Sequence, residues 1–496
     1  MQTDDVITDS EACWRATERG DPRFDGQFIV GVTSTRIYCR PSCPAMTPKR
    51  KNVRFFATAA AAQSAGLRAC KRCRPDATPG SPDWNARADA VGRAMRLIAD
   101  GVVDREGVRG LARSIGYSER HLNRLMTTEL GAGPLAIARA QRAQNARTLL
   151  ESTDLAITLV AFAAGFASTR QFNDTLREVY AATPTELRRA TRQRRGIEPG
   201  RLALRLPFRP PFATACLFDF LAARAIAGVE SASTNRYERT LRLPNATGWV
   251  ALEPFDDHLS AVLELDDLTD LAPAVRRLRD TFDLDADPET TDGALRRDPA
   301  LRPLIRRTRG LRVPGTPDPT ELVVRAVLGQ QVSVAGARTL AGRLVRELGD
   351  PFRDAGVHDD REPMFVFPDA ASIAGSPLDM LGTPAARKAS LRSVCEALAS
   401  GRLDLSPASD RAEVRAQLLA VKGIGPWTAD YIAMRALRDP DAFLPTDLGV
   451  RQGAAALGLS TDAQALGGHA ERWRPWRASA LMHLWNHLAP SKESNP

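Results

Sequence analysis

Residues 418–437 read LLAVKGIGPWTADYIAMRAL, and residues 442–452 read AFLPTDLGVRQ. Two apolar-periodic runs in the first stretch are joined by Val421-Lys422-Gly423-Ile424-Gly425. That pattern predicts two helices meeting at a glycine-bearing hairpin. Glycines there let backbone N–H groups come close to a phosphate without needing net charge. Lys422, Gly423 and Gly425 are therefore candidate contacts to a DNA backbone. The hairpin alone says only that backbone is gripped. About twenty residues further on stands Asp447, either a reactive carboxylate or the N-cap of the next helix.

Outward from this stretch, the chain runs to 496 residues, which at about 100–200 residues per domain suggests three domains. It is 43% hydrophobic, enough for full cores. No apolar run reaches about 18 residues, so no membrane span is expected. The start, MQTDDVITDSEACW, is acidic and polar and lacks a signal-peptide layout, so a cytoplasmic location is expected. Net charge is +9, unevenly spread. Residues 1–196 carry 31 Lys and Arg against 20 Asp and Glu, whereas residues 197–496 carry 37 against 39. A basic first part favours a polyanion such as nucleic acid. High arginine use throughout a genome would give the same surplus. Seven cysteines, an odd count, argue against a disulfide framework.

The order of patterns predicts a multidomain α+β chain. Residues 1–78 hold a cysteine cluster in a small α/β module. ATPGSPD (77–83) reads as a linker. Residues 84–193 are helical throughout, and RQRRGIEPG (192–200) is a second linker. Residues 201–290 mix strand-like runs (LALRLPF, GWVALEPF, LSAVLEL) with one helix, Leu217–Ala227. Residues 291–490 are mostly helical, with loops at 312–319 and 351–369.

Cys39, Cys43, Cys70 and Cys73 follow the spacing C-x3-C and C-x2-C. Two close pairs on separate turns are how a chain builds a tetrahedral four-thiolate zinc site. Free or redox-active cysteines are the other reading. STRIYCRPSC (34–43) with LRACKRCRPD (67–76) resembles the N-terminal domain of the Ada-type methyl acceptors. The resemblance implies that Cys39 takes a methyl group from a DNA phosphotriester, with the other three cysteines as supporting zinc ligands. Zinc keeps a thiolate at neutral pH, and the thiolate is the nucleophile. Four thiolates leave the centre formally negative, so methylation removes charge that repels backbone phosphate. Arg40 is a candidate backbone contact. Arg36 departs from the family pattern, which has glycine there. The competing reading is a structural zinc module with inert cysteines.

Residues 107–130 read as helix, turn at Gly116 and helix, capped by Ser118. Residues 156–179 repeat the arrangement with Gly165 and Ser168. Ordinary bundles also contain such pairs. The signature GFASTRQFNDTLRE (165–178) and the long helix between, at about 134–150, resemble the AraC-type DNA-binding domain. Glu119, Arg120, Asn123 and Arg124 in the first unit, and Thr169, Arg170, Gln171 and Asn173 in the second, are placed to meet DNA. Asp174 departs from the family's usual basic step.

Residues 201–490 resemble the AlkA-type 3-methyladenine glycosylases. The match runs through LPFRPPF (206–212), FLAARAIAGVE (220–230), LGQQVSVAGA (328–337), the hairpin, and RWRPWRASALMHLWNHL (472–488). It implies a helix-hairpin-helix glycosylase fold with Asp447 as catalytic carboxylate and Trp427 and Trp485 lining a slot for the flipped base. Lyase-type relatives carry a lysine where Trp427 stands, so a monofunctional hydrolase is implied. Gln331 matches the residue that fills the gap left by the flipped base, which is leucine in the best-known relative.

Together these readings predict a DNA alkylation repair protein and regulator, with zinc as its cofactor. It would combine a 3-methyladenine glycosylase II type hydrolase with a stoichiometric methyl acceptor. Expected partners are duplex DNA carrying alkylated bases and methylphosphotriesters, promoter DNA and RNA polymerase. A monomer is expected. Ada-type proteins, which the N-terminal part resembles, often carry a separate O6-methylguanine acceptor with a Pro-Cys-His-Arg motif; none occurs here, so the resemblance implies no such acceptor. The rival reading is a methylation-activated regulator whose glycosylase part only holds DNA.

Overall fold

The structure, a computed structural model, describes residues 9–75, 90–189, 201–352, 364–407 and 409–488. Both expected linkers and most of the 351–369 loop lie outside the described residues. The chain forms two compact units. One takes in Met1–Phe208, Leu243–Ala246 and Asp257–Arg276, and the other Arg209–Arg242, Thr247–Asp256 and Arg277–Pro496.

In the first unit, α1 (Ser10–Glu18) is capped by the Asp9 side chain, which accepts from Ala12 N–H. Strands β1 (Ile29–Val32), β2 (Ile37–Cys39), β3 (Val53–Phe56) and β4 (Arg68–Ala69) make a sheet of order β3-β1-β2-β4. Its pairs are antiparallel except β2 with β4. Phe28 and Phe55 meet edge to face at 5.5 Å beneath it. The parallel β2–β4 pair matters most, because it carries one cysteine pair alongside the other.

The helical part follows. α2 (Ala59–Ser64) closes the cysteine module, and α3 (Ala90–Ala99) leads into Val102–Ile115, α4, which is broken at Gly107 (φ 70°). α5 (Glu119–Leu130), α6 (Pro134–Ser152), α7 (Ile157–Ala163) and α8 (Thr169–Tyr180) complete two helix-turn-helix units on the long α6. Thr58 Oγ1 donates to Leu130 O at 3.3 Å, and Arg74 pairs with Glu151 near the end of α6, so the cysteine module is tied to the helices. β5 (Leu202–Pro207) pairs antiparallel with Val262 and its neighbours in a later strand, His258–Leu265.

In the second unit, α9 (Thr214–Ala222) precedes an antiparallel meander of β6 (Glu230–Ala232), β7 (Tyr237–Arg242) and β8 (Thr247–Pro254). The helix lies earlier than the expected Leu217–Ala227. Apolar periodicity continues past Ala222, but Arg224 N–H bonds to Leu221 O in a tight turn, and Gly228 (φ 85°) redirects the chain into β6. The remaining helices surround two apolar cores. In one, Leu344, Val345, Ile373, Leu391, Leu418 and Ile432 are fully buried. Each such side chain contributes about 1.5–3 kcal/mol. Among the described residues, no helix is long and apolar enough to cross a membrane.

Candidate functional site

Cys39 ends β2, Cys70 follows β4, and Cys43 and Cys73 lie in the turns just beyond. The parallel pairing Tyr38↔Ala69, with Cys70 N–H donating to Tyr38 O at 3.0 Å, brings the two cysteine pairs together. All four sulfurs lie within 4.8 Å of one another. A tetrahedral site with Zn–S bonds of about 2.3 Å has edges of about 3.8 Å, so a small inward shift suffices. Donor number, donor type and spacing fit zinc.

The thiols of Cys39, Cys43 and Cys73 differ in acidity. A hydrogen bond from Cys39 holds the Cys73 thiol down at about 6, and the same bond pushes the Cys39 thiol well up. Burial pushes Cys43 up to about 11. Sulfurs this close cannot all ionise without a cation among them.

Asp25 anchors the first cysteine turn. Its carboxylate accepts from Ser42 N–H at 3.0 Å and Ser42 Oγ at 2.5 Å, and lies 3.4 Å from Arg40 Nε. Arg40 is therefore half-committed to Asp25. Arg36 adopts φ +53°, the left-handed conformation that favours the family's glycine.

The helix-turn-helix caps fall where the sequence placed them. Ser118 accepts from His121 N–H and Ser168 from Gln171 N–H. Glu119, Arg120, Asn123 and Arg124 are exposed on α5. On α8 Arg170 and Gln171 are exposed, while Thr169 and Asn173 are half-buried. Asp174 faces solvent 4.0 Å from Arg170, which offsets its charge.

In the second unit, α18 (Arg411–Ala420) and α19 (Pro426–Arg435) flank the Val421–Gly425 hairpin. (Helices α10 to α17, in chain order, are Leu271–Thr281, Pro288–Leu295, Arg302–Arg307, Pro319–Leu328, Val334–Leu348, Ala370–Gly375, the 3-10 turn Asp379–Leu381 and Ala385–Ala399.) Lys422, Gly423 and Gly425 are exposed. Gly423 has φ +92° and sits so close to Ser390 that an added Cβ would fall 2.0 Å from its Oγ.

Asp447 caps Leu448–Ala456 by accepting from Val450 N–H at 2.8 Å. Its Oδ1 also accepts from Trp485 Nε1 at 2.8 Å, and its Oδ2 from Trp427 Nε1 at 2.9 Å. A half-buried carboxylate is thus aimed by two indoles from separate helices. Trp427 stacks on Tyr431 (5.3 Å, 6° between planes), and Trp485 stacks on Phe220 (6.4 Å, 21°). Beneath them Arg435 donates to Tyr431 Oη at 2.8 Å, and Arg224 lies 3.7 Å over the Phe220 ring. Burial pushes the Tyr431 phenol up, but Arg435 and Arg224 outweigh it and hold it below its ordinary value. Gln331 is exposed at the tip of the Gly329–Ser333 turn, with φ +56°.

Three family descriptions match: "Metal binding domain of Ada" over residues 12–76, "Helix-turn-helix domain" over 111–190, and "AlkA N-terminal domain" over 203–318. A probable bifunctional transcriptional activator/DNA repair enzyme AlkA of Mycobacterium tuberculosis is 51% identical over 484 residues, 97% of each chain. The chain belongs to this AlkA family of bifunctional activator/DNA repair enzymes. DNA-3-methyladenine glycosylase 2 of Escherichia coli is 35% identical over 289 residues, covering 56% of this chain and 95% of its own. The 3-methyladenine DNA-glycosylase of Archaeoglobus fulgidus, at TM-score 0.50 and 20% identity, covers 57% of this chain and 98% of its own, and shows the fold alone.

Within this AlkA family member the expected multidomain α+β architecture and zinc-binding module hold. Sequence reasoning named Asp447, Trp427 and Trp485, which the fold brings together. It missed Tyr431, Phe220, Arg224 and Arg435. Tyr431 follows Trp427 by one helical turn, a spacing that could have flagged it. Arg435 follows Tyr431 by a further turn of the same helix, whereas Phe220 and Arg224 reach the site through tertiary packing.

Proposed function

We propose that the second unit is a monofunctional glycosylase of the 3-methyladenine type that hydrolyses the N-glycosidic bond of alkylated bases. The observation that carries this reading is Asp447, whose two oxygens are held by the Trp427 and Trp485 indoles. A base alkylated on a ring nitrogen is cationic and departs readily. Stacking on Trp427, Tyr431 or Trp485 attracts that cation. As the C1′–N bond breaks, its electron pair leaves with the base and positive charge grows on the sugar. The Asp447 carboxylate stabilises that charge and orients water, whose oxygen bonds to C1′ while a proton passes to solvent. Trp427 stands where a lyase would need lysine, so reaction stops at the abasic site. Lys422, Gly423 and Gly425 hold backbone, and Gln331 fills the gap left by the flipped base.

Cys39 is proposed as the methyl acceptor, with Cys39, Cys43, Cys70 and Cys73 as zinc ligands. Zinc bound there would keep the sulfurs as thiolates. A Cys39 sulfur lone pair forms the S–CH3 bond, the methyl C–O bond breaks, and a phosphodiester leaves. The thioether product lowers the negative charge facing DNA, with Arg40 near the backbone. The proposed partners are duplex DNA with alkylated bases and methylphosphotriesters, promoter DNA and RNA polymerase, met by a monomer. The proposed limits of the four parts are 1–78, 84–193, 201–290 and 291–490. Incubation with methylated duplex tests both chemistries at once. Free alkylated base in solution and a gain of about 14 Da on Cys39, hydrogen replaced by methyl, are expected. Absence of the first would favour a regulator whose glycosylase part only holds DNA.

A further inference from the structure

We propose that Gln330 is a positioning residue that rivets the gap-filling turn to the backbone-gripping hairpin, so that gripping DNA and opening its stack are one rigid act. This rests on the glycosylase reading above. The turn Gly329–Ser333 joins Pro319–Leu328 to Val334–Leu348. Its tip, Gln331, is held in the left-handed region and is exposed, with exposed Val332 and Val334 beside it. A short turn presenting such a tip to a base stack needs fixed support, because insertion pushes back on it.

Gln330 supplies that support from within the turn. Its Nε2 donates to Gly423 O at 2.9 Å and to Thr428 Oγ1 at 3.1 Å. The first acceptor belongs to the hairpin, and the second is the neighbour of Trp427. From the other side Arg387 Nη2 donates to Gln330 O at 2.6 Å. Arg387 lies on Ala385–Ala399, the same helix whose Ser390 packs against Gly423. One side chain and one carbonyl thus join the gap-filling turn, the hairpin and the helix that carries Trp427. Only an amide places donors at both acceptors here while remaining uncharged. The tie also suits a polar plug. Gln331 gains less from stacking than leucine would from burial, so its placement relies more on the fixed geometry beneath it.

The test uses the full chain. Gln330→Met keeps the side-chain length and removes both donations. Arg387→Met removes the third tether from the opposite side. A duplex carrying 2-aminopurine beside a tetrahydrofuran abasic site reports stack opening by fluorescence. Single-turnover base release from methylated duplex reports the chemistry, and Kd for undamaged duplex reports the grip. Each variant is expected to lower the fluorescence gain and the release rate roughly threefold to tenfold, the effect of one or two net hydrogen bonds, with Kd and Tm near wild type. Wild-type fluorescence and rate in both variants would overturn the proposal. If Gln330→Met melts early, Arg387→Met decides alone. If the wild type opens the stack but releases no base, the glycosylase reading fails and the fluorescence series alone decides the rivet. A wild type that does neither overturns both.

Discussion

Asp447 does two jobs with one carboxylate: it caps a helix through Val450 N–H and receives both indole N–H groups. The sequence offered a reactive carboxylate and an N-cap as alternatives, and the geometry shows that the cap leaves the second oxygen to an indole. Spacing after the hairpin made Asp447 legible. Arg224 and Arg435 each follow the ring they meet, Phe220 and Tyr431, by four residues, so both local pairs were legible; that the two pairs lie on opposite sides of one site was not, because they are about two hundred residues apart. A second buried group gives a pH-dependent test. Burial holds His483 down at about 4, and Asp292, at 4.0 Å, is too far to hydrogen bond and is itself pushed up by burial. An unfolded histidine titrates near 6.5. Between those values the unfolded chain binds a proton that the folded chain refuses. Stability should therefore fall as pH drops from about 6.5 to about 4 and level off below, by about 3 kcal/mol at full extent. His483→Met should flatten that slope in urea unfolding followed by tryptophan fluorescence. An unchanged slope would show that another group carries it.

Some element ends were legible from a capping serine or a turn glycine. Ser118, Ser168, Gly116 and the hairpin glycines all sit at the turns the sequence indicated. The helix Thr214–Ala222 was misplaced because its apolar period outlasts it, and the turn at Gly228 serves the following strand rather than the helix. The hairpin itself yields the test at this scale. Gly423→Ala imposes a left-handed alanine, costing about 1–2 kcal/mol, and a clash with Ser390 Oγ. Weaker DNA binding, by roughly tenfold, is expected in a titration of labelled duplex. Adding Ser390→Gly should restore part of the loss by relieving the clash. No recovery would mean that backbone conformation alone sets the grip.

For the whole molecule, the charge split follows the family matches. The basic first 196 residues carry the metal-binding and helix-turn-helix matches, and the nearly neutral remainder carries the AlkA N-terminal domain match and the glycine-bearing hairpin. The tie between the cysteine module and the helices, through Arg74 with Glu151 and Thr58 with Leu130, was not legible, since it pairs residues 72 or more apart across a linker. All the residues around Asp447 belong to the second unit. Cys43→Ser should therefore abolish zinc content, about one ion per chain in the wild type, and methyl uptake by Cys39. Base release should stay within about twofold of wild type, measured by metal analysis, mass spectrometry and base chromatography on the same preparations. Loss of release together with zinc would show that the two chemistries are coupled.

The most direct test of the central claim is single-turnover base release from methylated duplex by the wild type and by Asp447→Asn. Asparagine still caps the helix through its amide oxygen, but its NH2 faces the Trp427 N–H, so Tm should fall modestly while the protein stays folded. Removing the carboxylate's charge should slow release by roughly a hundredfold or more. Release at the wild-type rate by a folded Asp447→Asn protein would contradict the assignment of Asp447 as the catalytic carboxylate.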